Sequence, residues 1–106
     1  MVEKIKAILT ACGIPYAYDH FAEGESPSPP FICYLFPGSN NFGADGKVYF
    51  KVSQVHIELY TDYKDLSVEQ KLEEQLDAAS IFYDKTEVWI ESEKLYEVLY
   101  SFESEV

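Results

Sequence analysis

The sequence predicts an α+β domain, a mostly antiparallel sheet with two helices packed on it, in the order α-β-β-β-β-α-β-β. Three observations predict it. Two amphipathic helical stripes stand far apart in the chain; alternating or continuous apolar runs fill the space between and after them; and most of these runs are joined by turns too short to hold a crossover helix. A length of 106 residues suits a single domain spanning 1–106.

The first helix is expected over about residues 2–12. Val2, Ile5, Ile8, Leu9 and Cys12 recur at helical spacing with Glu3, Lys4 and Lys6 between them, Gly13 stands at the stop position and Pro15 forbids continuation. Tyr16, Tyr18 and His20 alternate with Ala17 and Asp19, which suggests a first strand. The connector AEGESPSPP at 22–30 has partial polyproline character. Phe31–Phe36 is a continuous apolar run bounded by prolines, as expected of a strand covered on both faces. The segment PGSNNFGADGK at 37–47 is dense in turn formers and ends at Asp45-Gly46, a hairpin signal. Residues 48–52 and 54–60 read as two strands; in the second, Val55, Ile57 and Leu59 face one way and His56, Glu58 and Tyr60 the other. The second helix spans about 67–79, with Ser67 and Gln70 in a capping-box pattern and Val68, Leu72, Leu76 and Ala79 as its apolar stripe. Two or three strands close the chain, at about 81–84, 87–91 and 94–103, with Trp89, Val88 and Ile90 read as strand core.

The net charge of −11 narrows the function. Residues 1–63 carry seven acids against four lysines and residues 64–106 carry twelve against four, with no arginine anywhere. Nucleic-acid affinity rests on cations that displace phosphate counterions, so this composition argues against DNA, RNA and anionic lipid as ligands. The start lacks an apolar leader core and no run approaches the roughly 18–20 apolar residues of a membrane span, which predicts a soluble chain made in the cytoplasm. Cys12 and Cys33 sit among apolar neighbours; buried free thiols are the default reading, with a disulfide between them as the alternative.

No reactive constellation emerges. His20, His56, Cys12 and Cys33 are the conceivable metal ligands, but no two lie closer than eight residues, whereas zinc ligands arrive in tight pairs. Gly38, Gly43 and Gly46 lack a phosphate-loop spacing, and a strand follows them instead of a helix N-terminus. No nucleophile elbow is present. The reading is therefore no enzyme, no cofactor and no metal. Two surfaces remain. The loop 37–47 is long for a hairpin connection, and Asn40, Asn41, Phe42 and Asp45 at its centre form either an arm that reaches a neighbouring subunit or an ordinary mobile loop. Glu69, Glu73 and Asp77, at i, i+4 and i+8, form either a solvated helix face or an acidic stripe that faces a partner.

Three stretches carry a resemblance: AYDHFAEGESPSPPFICYLFPGSNNFGADGKVYF at 17–50, VHIELYTDYKD at 55–65 and FYDKTEVWIESEKLYEVLYSFE at 82–103. They resemble the small tail-completion (tail-terminator, or head–tail joining) proteins of siphophages and prophages of Gram-positive bacteria, over nearly the whole chain. The resemblance implies a virion structural protein without catalytic residues. It implies a homo-oligomer, typically a hexameric ring, that caps the tail tube and meets the head connector. Its location would be the host cytoplasm during assembly and then the virion tail. An acidic ring lumen would let DNA pass without adsorbing, and the 67–79 helix is the candidate for lining it. Two rival readings stand beside this one: an acidic DNA-mimic inhibitor, which a host nuclease would capture, and a small-molecule sensing module of ferredoxin-like type, which a ligand would stabilise against heat.

Overall fold

The computed structural model describes residues 2–22, 24–39, 42–44, 47–50 and 52–105. In chain order it comprises α1 (Val2–Cys12), β1 (Tyr16–Tyr18), β2 (Phe31–Leu35), β3 (Phe42–Ala44), β4 (Lys47–Phe50), β5 (Val52–Thr61), α2 (Leu66–Ala78), β6 (Asp84–Ile90) and β7 (Leu95–Glu105). The α+β class and the two helices on a mostly antiparallel sheet are as expected. The order gains one short strand, β3, inside the segment expected to be a turn-rich connector.

Five strands form the main sheet in the order β1-β2-β5-β7-β6, and β3 and β4 form a separate two-stranded ladder. Only β1 and β2 run parallel; every other neighbouring pair is antiparallel. Two expectations are corrected here. The strand expected at 48–52 leaves the main sheet, because β4 pairs with β3 and β5 starts afresh at Val52. Residues 81–83 form no strand, and the runs expected at 81–84 and 87–91 merge into the single strand β6. The strand β7 is internal to the sheet. It inserts between β5 and β6, pairing with β5 from Val52↔Glu105 to Thr61↔Tyr96.

The register sets the two faces of the sheet. Ile32 lies opposite Leu59 and Tyr34 opposite Ile57; Leu59 meets Val98, Ile57 meets Tyr100 and Val55 meets Phe102. These side chains share one face and form one core with Ile5, Ile8, Leu9 and Cys12 of α1 and Leu72 and Leu76 of α2. Both helices therefore cover the same side. Each of the fully buried Ile and Leu side chains contributes about 1.5–3 kcal/mol by leaving water.

The helix ends follow local chemistry. Gly13 takes φ +72° just past α1, a left-handed conformation that costs a glycine nothing. At α2 the cap is Asp65, not Ser67: the Asp65 carboxylate accepts from the Val68 amide at 3.3 Å and from the Ser67 hydroxyl at 2.8 Å. Gln70 donates to Glu74 instead of turning back to close a capping box. Ser80 at φ +58° then ends the helix, with the Ser80 amide bonded to the Asp77 carbonyl and the Ile81 amide to the Leu76 carbonyl. This is a Schellman closure with serine where glycine is usual.

Candidate assembly surfaces

The opposite face of the sheet carries Phe31, Cys33 and Leu35 from β2, His56, Glu58 and Tyr60 from β5, Glu97, Leu99 and Ser101 from β7, and Asp84, Thr86 and Val88 from β6, as the same registers require. Neither helix packs there. Phe21, in the segment after β1, covers part of β2: its ring meets Phe31 edge-on at 5.5 Å, and Phe31 in turn stacks on Tyr60 at 5.0 Å. This explains why Phe31–Tyr34 are buried on both faces, as the continuous apolar run predicted. A shallow depression of about 240 Å³ opens beside these rings, bounded also by Ile90 and Leu95.

Two carboxylates lie at the centre of this face. Glu97 is the cross-strand partner of Tyr60, whose hydroxyl donates to it at 3.4 Å, and Glu58 is the neighbour diagonally across. Burial pushes the Glu58 carboxyl up to about 7, reinforced by its hydrogen bond to Glu97 and by Glu97's negative charge, against a smaller opposing bond from Tyr60. Burial likewise raises the Cys33 thiol to about 11, with Glu58 adding to it, which makes that thiol inert. On the described part of this face the register places the acids Glu58, Glu97, Asp84, Glu103 and Glu105 and no lysine: Lys85 lies across from Tyr100 on the helix side. The sequence alternation already put Glu58 and Tyr60 on the side away from Ile57. The missing signal was Glu97, which only strand pairing brings alongside.

The acidic helix is corrected in part. Glu69 is 2% exposed, and Glu73 is half-buried, so neither stands on a free acidic face. Both flank the apolar stripe, Glu69 at i relative to Leu72 and Leu76 at i+3 and i+7, and the sheet beside it supplies cations. Lys64 and Lys85 approach the Glu69 carboxylate at 2.7 and 2.8 Å. Those distances suit charge-assisted hydrogen bonds from the two ammonium groups, and such bonds to Glu69 help to raise both lysines. Lys64 also reaches Glu87, and Lys85 reaches Glu73 at 2.8 Å; Glu73 further accepts from the Tyr100 hydroxyl at 2.7 Å. Burial would lower the Lys85 ammonium, but Glu69 and Glu73 outweigh it and raise it to about 12. The network ties α2 to the edge strand β6. Asp77 alone of the three predicted acids is exposed.

Of the predicted contact loop, Asn40, Asn41 and Asp45 lie outside the described residues. Phe42 opens β3 opposite Phe50, and Ala44 pairs with Lys47. Among the described residues the β3–β4 hairpin has no extensive partner but itself, joined to the body near the Ser39–Ser53 bridge and the Gln54 amide bond to the Gly38 carbonyl. The chain is accordingly long, 49 × 29 × 22 Å with a radius of gyration of 15.0 Å, against about 13 Å for a compact domain of this size.

Several apolar side chains face water. Phe82 is 96% exposed and Leu66 68%. Trp89 and Val88, expected in the core, are 40% and 51% exposed because β6 is an edge strand. The Trp89 indole rests on Tyr96 at 4.7 Å and donates to Glu91 at 2.6 Å. His20 is exposed beside Asp19 and His56 is half-buried; among the described residues no three His, Cys, Asp or Glu side chains gather to hold a metal. Cys12 and Cys33 are buried free thiols, and no described helix is long and apolar enough to cross a membrane.

No family model and no curated protein matches this sequence. Solved structures do. A chain in the virion of a native gene transfer agent particle aligns over 99% of this chain and 90% of its own length, at a TM-score of 0.66 and 11% identity. The two chains share a fold. Helices, main sheet and hairpin all fall within the aligned length, so the likeness covers the architecture end to end and is not confined to a sheet motif.

Proposed function

We propose that this protein is a non-catalytic structural component of a phage-type virion, a tail-completion protein (tail terminator or head–tail joiner) that works by assembling into a ring. The observation that carries the reading is the end-to-end likeness of fold to a chain of a virion particle. Three features support it: a hairpin that stands off the body, a sheet face left free of helices, and large apolar side chains such as Phe82 in water. Its partners are further copies of itself, the tail tube and the head connector. It uses no cofactor and binds neither nucleic acid nor membrane. With a net charge of −11, its ring lets DNA pass without adsorbing. Asp77 is the predicted acid exposed to face that channel.

Light scattering and negative-stain microscopy of the purified chain test the reading. A homogeneous annulus, six-fold by the resemblance, is the expected result, together with capture of tail-tube or connector protein from a phage lysate. Capture of a host nuclease by a monomer instead would establish the inhibitor reading, and substrate turnover or a tightly held metal or nucleotide would end the structural one.

A further inference from the structure

We infer that the helix-free face of the main sheet, centred on Glu58 and Glu97, is the seat for the β3–β4 hairpin of a second copy of this chain; the inference rests on the self-assembly reading and names its contact. The face has two halves. One is partly covered and mixed, with Phe31, Tyr60, Ile90 and Leu95 around the depression beside Asp19, His20 and Glu93, and Val88, the cross-strand partner of Glu97, 51% exposed. The other is a carboxyl pair, Glu58 and Glu97, which share a hydrogen bond and carry two full charges only above about pH 7, set among these side chains with no lysine on the described part of the face. Two half-buried carboxylates side by side repel each other and lose hydration. A cation from outside relieves both costs.

The hairpin is complementary in charge and composition. Residues 37–52 contain Lys47 and Lys51 against the single acid Asp45, while the rest of the chain is strongly acidic. Phe42, Val48, Tyr49 and Phe50 surround those lysines in the sequence, the mixture of aromatic and cationic residues that interfaces favour. The strands are three and four residues long, and a two-stranded hairpin of that size is marginal in water without a surface to lie on. Hairpin and seat are different surfaces of one chain, so the contact is head-to-tail and repeats around a closed ring instead of ending at a dimer.

Reciprocal charge reversal tests the proposal. Sedimentation velocity on the full chain, across a range of protein concentrations, compares wild type with Lys47→Glu/Lys51→Glu and with Glu58→Lys/Glu97→Lys. Each variant alone is expected to self-associate at least about tenfold more weakly, the effect of inverting one close charge contact. An equimolar mixture of the two is expected to co-assemble, because every hairpin then meets a face of opposite charge. Variants that assemble as well as wild type, or a mixture that recovers nothing while both chains show native circular dichroism, overturn the seat and leave ring formation standing. A wild-type chain that stays monomeric at every concentration overturns self-assembly itself. If reversal at Glu58 and Glu97 unfolds the sheet, the hairpin variant decides alone, provided that it keeps native circular dichroism: unchanged association sinks the proposal.

Discussion

Replacing Glu58 by Gln removes the one group on the open face whose protonation is displaced toward neutrality. The carboxyl moves from an ordinary 4.5 to about 7 on folding, through burial first and Glu97 second. The folded chain thus holds this proton more tightly than the unfolded chain does. Stability from this source is complete below pH 4.5 and is lost as the pH rises through 7. The full displacement corresponds to at most about 3 kcal/mol. Glu58 keeps partial contact with water, which screens the charge and brings the expected effect to about 1 kcal/mol. Urea unfolding at pH 5 and pH 8, at concentrations where the chain is monomeric, measures it. Wild type should lose about 1 kcal/mol more than Glu58→Gln between the two values, a relative midpoint shift of about 0.5 M. Carboxylates remote from Glu58 are common to both proteins and cancel in the comparison, whereas Glu97, its hydrogen-bonded neighbour, belongs to the difference measured. If the two proteins lose stability in parallel, the Glu58–Glu97 pair is not the strained site described above.

Three further outcomes are expected. Glu69→Ala should cost about 2–3 kcal/mol, since it leaves Lys64 and Lys85 without their buried partner, whereas Glu69→Leu should recover most of that loss by filling the space with apolar volume; equal losses from both, in thermal melts, would mean that the charge itself holds α2 to β6. Ser80→Gly should stabilise the chain by about 0.5–1 kcal/mol by relieving a positive φ at the end of α2, a rise of several degrees in Tm. Phe82→Ser should leave the stability of the monomer within about 0.5 kcal/mol, because the ring is 96% exposed, while weakening any assembly that covers it; a large fall in monomer Tm would show that the ring packs after all.

The elements whose period is set by a single face were legible from the residues. The stripe of α1 with Gly13 behind it, the buried run at Phe31–Tyr34 and the alternation of β5 all stand where the pattern placed them. The errors share a cause: they concern partners distant in sequence. Nothing local to Trp89 says that β6 lies at an edge, because that depends on β7 folding back between β5 and β6. Glu69 reads as a surface acid until Lys85, sixteen residues on, is brought over it. Asp65 and Ser67 are equally good caps by type, and the choice fell to the residue whose carboxylate also engages the other's hydroxyl. Glu58 was assigned its face correctly, but its strain comes from burial and then from Glu97, a residue that no periodicity connects to it.

The insertion of β7 also dictates when the domain can exist. Strands β5 and β6 touch through β7 alone, so a nascent chain that has already formed α2 still lacks the ladder joining its two halves until residues 95–105 leave the ribosome. Until then β6, with Val88 and Trp89 on its two faces, has no strand partner on either edge. The main sheet therefore cannot close before β7, the strand between β5 and β6, is in place.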